Sequence, residues 1–572
     1  MLFFRRLSLC LVLISILSSV FFVSLFTKYF IRNDHHHYHK HRHENKKQSN
    51  SEILDESLSF DKLHTNSIQI GNHPLALYVH FDLKGAAPKS SYFEKLFPLL
   101  HQWGVKGICM EYEDMFPFDG IVHSIKHKQA YTKDEIKRIN QLAKQNQLDV
   151  MPLLQTYGHL EFLLKLDEFR DLREDIKYPQ VITPCINKTY TILYSMIDQY
   201  LELHPNIRYL HIGHDEVYYF LTNPACQEFQ RLTGIQTQYD LFAYHLNKIV
   251  KYIKQQSPNI VLFIWHDVLQ NLNLQILQRY DLINSINPVL WSYREDIQVE
   301  GFVSGSQADL FGQYQILWGA TAFKGATHEI ATISDVKHYY DNQISWIKQL
   351  QISLPTKWKN FNGVILTGWS RYDHFLSLCE LLPYSIPSML FSISAWYQQF
   401  QNLPQDNLIP NQLLDYVQKQ LECPTALHLN IRNHVFLFRR MFRCKFPGAD
   451  IYESMILLSR LWNQVEEVES FVKKYVTDLH IKYNYIHVKR GEECLERLTP
   501  VIYSLKDFMD SFMKSMNEVF PPEVAIEWLE TYFMQRFNSI NKRYEFIQRT
   551  IREQKSWLVR PILNIDNLSN TR

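Results

Sequence analysis

Apolar residues follow two rhythms along this chain, and the rhythm changes near residue 385. From Pro74 onward, short apolar runs rich in β-branched and aromatic residues alternate with longer stretches whose apolar positions recur every three or four residues. The runs are 75–82 (LALYVHFD), 105–112 (VKGICMEY), 148–154 (LDVMPLL), 207–213 (IRYLHIG), 260–265 (IVLFIW), 286–292 (INPVLWS), 313–319 (QYQILWG) and 361–368 (FNGVILTG). Runs of this kind predict strands buried on both faces. The stretches between them, such as 132–146, 238–256 and 333–351, predict amphipathic helices. Strand and helix in alternation imply a parallel sheet, and eight such units in roughly 300 residues imply an α/β fold of the (β/α)8 TIM-barrel type. Beyond residue 385 the strands stop. Leu458, Leu461, Trp462, Val465, Val468 and Val472 recur at helical spacing, so 386–572 is expected to be an α-helical C-terminal region, with aromatics such as Trp528 in its core.

The N-terminus carries a different pattern. Leu7 to Thr27 is 21 residues without a charge, entered through Arg5-Arg6 and left through Lys28 and Arg32. That length suffices to span a bilayer, so residues 1–32 are expected to hold a short tail and one signal-anchor transmembrane helix. Six of the nine residues from His35 to His43 are histidine, and 33–73 has too little apolar content to fold, which reads as a polar stem. The barrel is then expected over 74–385. Basic residues on both flanks, among them Lys40, Arg42, Lys46 and Lys47, leave orientation open. The sequons Asn187-Lys-Thr and Asn567-Leu-Ser permit a lumenal body. The expectation is a single-pass type II protein of the Golgi with its catalytic domain in the lumen, the alternative being a cytosol-facing body.

Composition narrows the function classes. A net charge of +1 gives no footprint for nucleic acid. Eight cysteines without a C-x-x-C pair encode neither a zinc cage nor a redox pair. A pair such as Cys185–Cys226 can bridge, but spacing alone does not decide it.

Candidate chemistry gathers at the strand ends. In a (β/α)8 barrel the active site forms at the C-terminal ends of the strands. Those positions carry Asp82 and Lys84; Glu111, Glu113 and Asp114; Gln155, Tyr157 and His159; Asp215 and Glu216 in His-Ile-Gly-His-Asp-Glu-Val; Trp265, His266 and Asp267; Trp291 and Tyr293; Trp318; and Trp369, Arg371, Tyr372 and Asp373. Adjacent carboxylates beyond a strand suit acid/base work. Other Asp-Glu pairs, at 134–135 and 167–168, fall in helical patterns and read as solvated surface. Tryptophans around one face suit stacking on a sugar ring, with carboxylates and cations to grip its hydroxyls.

The segments VHFDLKGAAPK (79–89), MEYEDMFPF (110–118), QTYGHLEFLLK (155–165), HIGHDEV (211–217), WGATAFKGA (318–326) and TGWSRYDH (367–374) resemble the hexosaminidase D-like branch of glycoside hydrolase family 20. The resemblance runs from about residue 74 to 390. It implies exo-hydrolysis of a terminal, non-reducing β-linked N-acetylhexosamine with retention, in which the 2-acetamido oxygen attacks C1. The substrate is then a glycan, with N-acetylgalactosamine and N-acetylglucosamine both in scope. The resemblance implies Glu216 as general acid/base, with a pKa raised by burial and by Asp215. It further implies Asp215 as the group that orients the acetamide N–H, and His159 as the histidine hydrogen-bonded around the acid. Asp82 and Lys84 would hold outer hydroxyls, lysine standing where many members carry arginine. Trp265, Trp291, Trp318 and Trp369 would wall the sugar, and Tyr293 is one candidate for the acetamide oxygen. Glu113 and Asp114 would either support His159 or bridge a loop, and Arg371 and Asp373 share sugar contact and orientation between them. No metal or organic cofactor is required. The rival reading is a catalytically silent, lectin-like protein that keeps the sugar cup; the helical tail offers a surface for pairing two protomers.

Overall fold

A computed structural model describes residues 68–298, 302–303, 305–401, 409–424 and 441–553. The expected anchor at 7–27 and nearly all of the stem lie outside them. Among the described residues no helix is long and apolar enough to cross a membrane.

Eight parallel strands close into a barrel: β1 (Ala76–Asp82), β2 (Gly107–Glu111), β3 (Asp149–Leu153), β4 (Tyr209–His211), β5 (Val261–Trp265), β6 (Asn287–Trp291), β7 (Leu317–Lys324) and β8 (Phe361–Gly368). Each pairs with its sequence neighbours, and β8 closes on β1 through Gly363–Ala76 to Leu366–Val79. Alternation within each strand explains the double burial. Leu77, Val79 and Phe81 of β1 face the surrounding helices, while Tyr78 joins Cys109, Met151, Tyr209, Phe263, Trp318 and Ile365 inside the barrel. His80 and Asp82 share the inward parity of Tyr78 and rise toward the C-terminal end, so the interior turns from apolar floor to polar mouth.

Helices ring the sheet where amphipathic stretches were expected: α1 (Ser90–Gln102), α2 (Lys133–Gln145), α3 (Asn187–Leu203), α4 (Gln238–Gln256), α5 (Val336–Ser353) and α6 (Ile386–Ala395) are the longer ones. Their starts are written locally. Thr132 and Glu135 form a capping box on α2, which explains the Asp-Glu pair at 134–135 as a first-turn feature. Thr237 caps α4 and Asp335 caps α5. α6 packs on α5 and β7, so the boundary at 385 falls just before the helix that completes the eighth unit.

The helical C-terminal region is present as α7 (Ala449–Tyr475), α8 (Val488–Val519), α9 (Pro522–Leu529) and α10 (Gln535–Glu553). α8 packs against α7, α9 and α10, with Leu498, Ile502, Leu505 and Phe512 inward. Trp528 is core, its ring tilted against Phe512 at 4.7 Å between ring centres. Disulfides join Cys185 to Cys226 and Cys423 to Cys444. Cys109, Cys379 and Cys494 are buried thiols.

Candidate active site

The barrel mouth opens into a cavity of about 210 Å³, lined among others by Lys84, Glu111, Glu113, Gln155, His159, Asp215, Glu216 and Arg371. Trp265, Trp291, Tyr293 and Trp369 supply its aromatic walls. Trp291 and Tyr293 stack at 5.4 Å, and Trp369 lies 6.4 Å from both Trp265 and Tyr293. Four aromatic faces around a set of carboxylates form a cup suited to a pyranose.

Backbone geometry at the acids is unusual. Gly213, His214 and Glu216 all have positive φ, as do His159 and Glu113. For residues with a Cβ this costs on the order of 1–3 kcal/mol each and persists only where the surroundings hold it. At Gly213 (φ +72) a Cβ would sit 1.8 Å from Gln155 Oε1, so glycine alone fits the turn that follows β4. A Cβ at Gly158 would meet the Asp215 carbonyl at 2.1 Å, and its absence lets the β3 loop bring His159 up to the acids. Asp267, just past β5, accepts the Glu216 backbone N–H at 2.8 Å and the Trp291 indole N–H at 3.3 Å, bracing acid and wall together.

His159 Nε2 stands 3.1 Å from Glu216 Oε2 and 3.5 Å from Asp215 Oδ2. Burial disfavours a charged imidazole there, but Asp215, Glu216 and Glu161 outweigh it and raise the His159 pKa well above its ordinary value. Burial pushes Asp215 up to about 7, opposed by His159 and reinforced by Asp267 and Glu216. Burial acts on Glu216 in the same direction, yet the His159 hydrogen bond and charge win and lower it. The raised carboxyl pKa expected at Glu216 is therefore found at Asp215, because the imidazolium sits nearest the glutamate. Asp215 Oδ1 is buried and has no hydrogen-bond partner among the described residues. An acceptor left in that state awaits a donor.

On the opposite wall Lys84 Nζ pairs with Asp82 at 3.1 Å and Glu113 at 3.5 Å, and lies 5.3 Å from the Trp369 ring centre. These partners overcome its burial and raise its pKa. Asp82 stays behind Lys84, also accepting the Ser370 N–H at 2.8 Å. Glu111, bonded to His80 at 2.9 Å and Gln155 at 3.3 Å, lines the floor of the cup.

Several expected residues go elsewhere. Trp318 is in the barrel floor, 1% exposed, edge-on to Tyr78 and hydrogen-bonded to Asn362. It is the second residue of β7, whose C-terminal end is Lys324, so the strand continues past the tryptophan instead of stopping at it. Asp373 caps its own turn, accepting from the Phe375 and Leu376 N–H groups at 2.7 and 3.0 Å, and does not line the cup. Asp114 lines a neighbouring cavity, 3.6 Å from His374. Glu113 engages Lys84 and His374 instead of His159. The carboxylate facing His159 Nδ1 is Glu161, at 3.9 Å, which sequence reasoning passed over although it stands two residues on, at the start of the short helix Glu161–Leu164. Tyr218, which adds to His159 in holding the Glu216 pKa down, was also unforeseen.

Residues 93–315 match glycosyl hydrolase family 20, catalytic domain, a span that holds His159, Asp215 and Glu216. Human hexosaminidase D is 41% identical over 315 residues, covering 54% of this chain and 63% of that protein. Bovine hexosaminidase D is 37% identical over 317 residues, covering 55% of this chain and 90% of that one. The chain belongs to glycosyl hydrolase family 20. Its likeness within the family is to hexosaminidase D, and the matched length is less than two thirds of the human protein. A chitobiase from Flavobacterium johnsoniae superposes with a TM-score of 0.46 at 14% identity, over 84% of this chain and 78% of that one. That likeness is too loose to bear on the family 20 site.

Proposed function

We propose that the protein is an exo-acting β-N-acetylhexosaminidase that uses its substrate's own acetamide as nucleophile. The observation that carries this reading is the Asp215–Glu216–His159 cluster in the loops after β4 and β3, set in an aromatic cup, with the buried Asp215 Oδ1 unpartnered among the described residues. Asp215, once ionised, accepts the acetamide N–H and aligns the acetamide oxygen below C1. As that oxygen attacks, positive charge grows on the oxazoline ring, and the buried carboxylate stabilises it more strongly than it does the ground state. Glu216 gives its proton to the departing glycosidic oxygen and later removes one from water. In the free protein His159 holds that proton. A sugar in the cup excludes water from Glu216 and hydrogen-bonds Asp215, which moves the proton toward Glu216. Trp265, Trp291 and Trp369 pack on the ring and acetamide, Tyr293 donates toward the acetamide oxygen, and Lys84 and Arg371 take the outer hydroxyls. With the sugar supplying the nucleophile, the spacing between two protein carboxylates does not set the stereochemistry.

We further propose a membrane-anchored, lumenal enzyme. Two disulfides favour an oxidising compartment, in keeping with the uncharged 7–27 segment. Protease protection in intact vesicles tests this, and digestion of the barrel without detergent would contradict it.

The mechanism is tested with aryl β-glycosides whose acetamide carries zero to three fluorines. Attack by the acetamide oxygen predicts a steep fall in kcat/KM with each fluorine. A flat series would mean that a protein group or water attacks instead.

A further inference from the structure

The C-terminal helices meet the barrel mouth beside the loops after β1, β2 and β8. Lys89, between β1 and α1, donates its backbone N–H to Val519 at 2.7 Å and its ammonium to the Asn517 carbonyl. Gln129, between β2 and α2, donates to Glu523 at 2.8 Å. A π-helical turn, Glu530–Met534, joins α9 to α10, and from it Tyr532 donates to the Leu378 carbonyl in the loop after β8. Arg371 Nη2 donates to both carboxylate oxygens of Glu527 on α9, at 2.7 and 2.9 Å.

The last contact differs from the others because Arg371 lines the sugar cup. Its side chain is 11% exposed, so a paired carboxylate offsets the cost of taking its charge out of water. Nη1 is held by the Leu376 carbonyl at 3.0 Å, while Nε has no partner among the described residues. The guanidinium lies against the backbone of Gly85 (φ +73), where a Cβ would come within 2.0 Å of Nη2. Two fixed nitrogens and a slot cut by glycine make an oriented donor from a side chain that otherwise samples many rotamers.

We propose that Glu527 is a positioning residue for the sugar site, holding Arg371 in the Gly85 slot so that its guanidinium meets the substrate hydroxyls. The helical region is then part of the binding wall, though 156 residues separate the two partners in sequence. This rests on the glycosidase reading.

The test uses the full chain and an aryl β-N-acetylhexosaminide, comparing wild type with E527Q, E527D and E523Q, each checked for a native circular-dichroism melt. E527Q is expected to raise KM on the order of tenfold with kcat nearly unchanged, because the loosened group serves binding. E527D, which keeps the charge one methylene short, falls between E527Q and wild type. E523Q removes the charge from the Gln129 contact on the same helix without touching Arg371 and leaves KM alone. An unchanged KM in E527Q overturns the proposal, as does an equal rise in E523Q, which would mean that α9 merely props the loops. Should E527Q fail to fold, a wild-type KM in E527D overturns it equally. If wild type turns over no N-acetylhexosaminide, the glycosidase reading itself fails and this one with it.

Discussion

The two ends of the barrel are built from the same eight strands and solve opposite problems. At the floor, Tyr78, Tyr209, Phe263 and Trp318 pack at ring separations of 4.8 to 6.1 Å, and the Trp318 indole N–H is satisfied by Asn362. Gly363 is shaped for this: a Cβ there would lie 2.2 Å from the Trp318 ring. At the mouth, Asp215 Oδ1 and the indole nitrogens of Trp265 and Trp369 lack partners among the described residues. Glu216 and His159 there take strained backbone conformations. Buried polar groups without partners lower stability, and they persist where a ligand completes them. A tryptophan at the bottom of a strand therefore serves the fold, and one at the top lines the open cup.

Substitutions that strike one end and spare the other sharpen this contrast. The largest effect belongs to Glu216→Gln, expected to lower kcat on a substrate with a poor leaving group by about 10³-fold with the unfolding midpoint unchanged. Asp215→Asn follows, with a loss of about 10²-fold or more in kcat/KM, as the amide no longer stabilises the oxazolinium charge. Its pH profile should change as well. Asp215 must be ionised to accept the acetamide N–H, so wild-type kcat/KM should rise with pH through about 7. It should fall again when the proton shared by His159 and Glu216 is lost, above the ordinary imidazole range. Asp215→Asn should lose the rising limb and keep the falling one, and a variant that retains both limbs would contradict the assignment. The third test sets two tryptophans against each other. Trp369→Ala should raise KM by about tenfold with a small stability change, whereas Trp318→Ala should cost about 3–5 kcal/mol in denaturant unfolding with KM unmoved in the folded fraction. Equal effects of both on KM would break the distinction between floor and mouth. The smallest effect is expected of Asp267→Asn, which keeps one acceptor for the Glu216 N–H and should lower kcat severalfold through a looser acid, read as a kcat change at constant KM.

Much of the barrel was legible because buried strands and amphipathic helices leave different periodicities in the sequence. β8 runs over 361–368 as its apolar pattern says, and β1, β2, β3 and β5 agree to within two residues at each end. β7 is the exception: the run 313–319 breaks off where the strand has barely begun. Its continuation, Gly319-Ala-Thr-Ala, is made of small residues, and at Gly319 a Cβ would meet Trp346 at 2.8 Å. Small side chains carry little hydrophobic signal, and the misplaced strand end carried Trp318 with it. Asp215, Glu216 and His159 were legible because each lies within a few residues of a strand end. Which of the two acids is pushed up was not, since that depends on the 3.1 Å approach of an imidazole from another loop. Glu527 left no trace at all, because nothing local marks a helix residue that reaches a distant loop.

The most direct test of the central claim is hydrolysis of aryl β-N-acetylgalactosaminide and β-N-acetylglucosaminide by the full chain beside Glu216→Gln. Turnover of at least one sugar, collapsing in the variant, is the predicted result, and the ratio between the two sugars gives the preference. Binding of N-acetylhexosamine by folded wild type with no turnover of either substrate would contradict it and make the cup a lectin site.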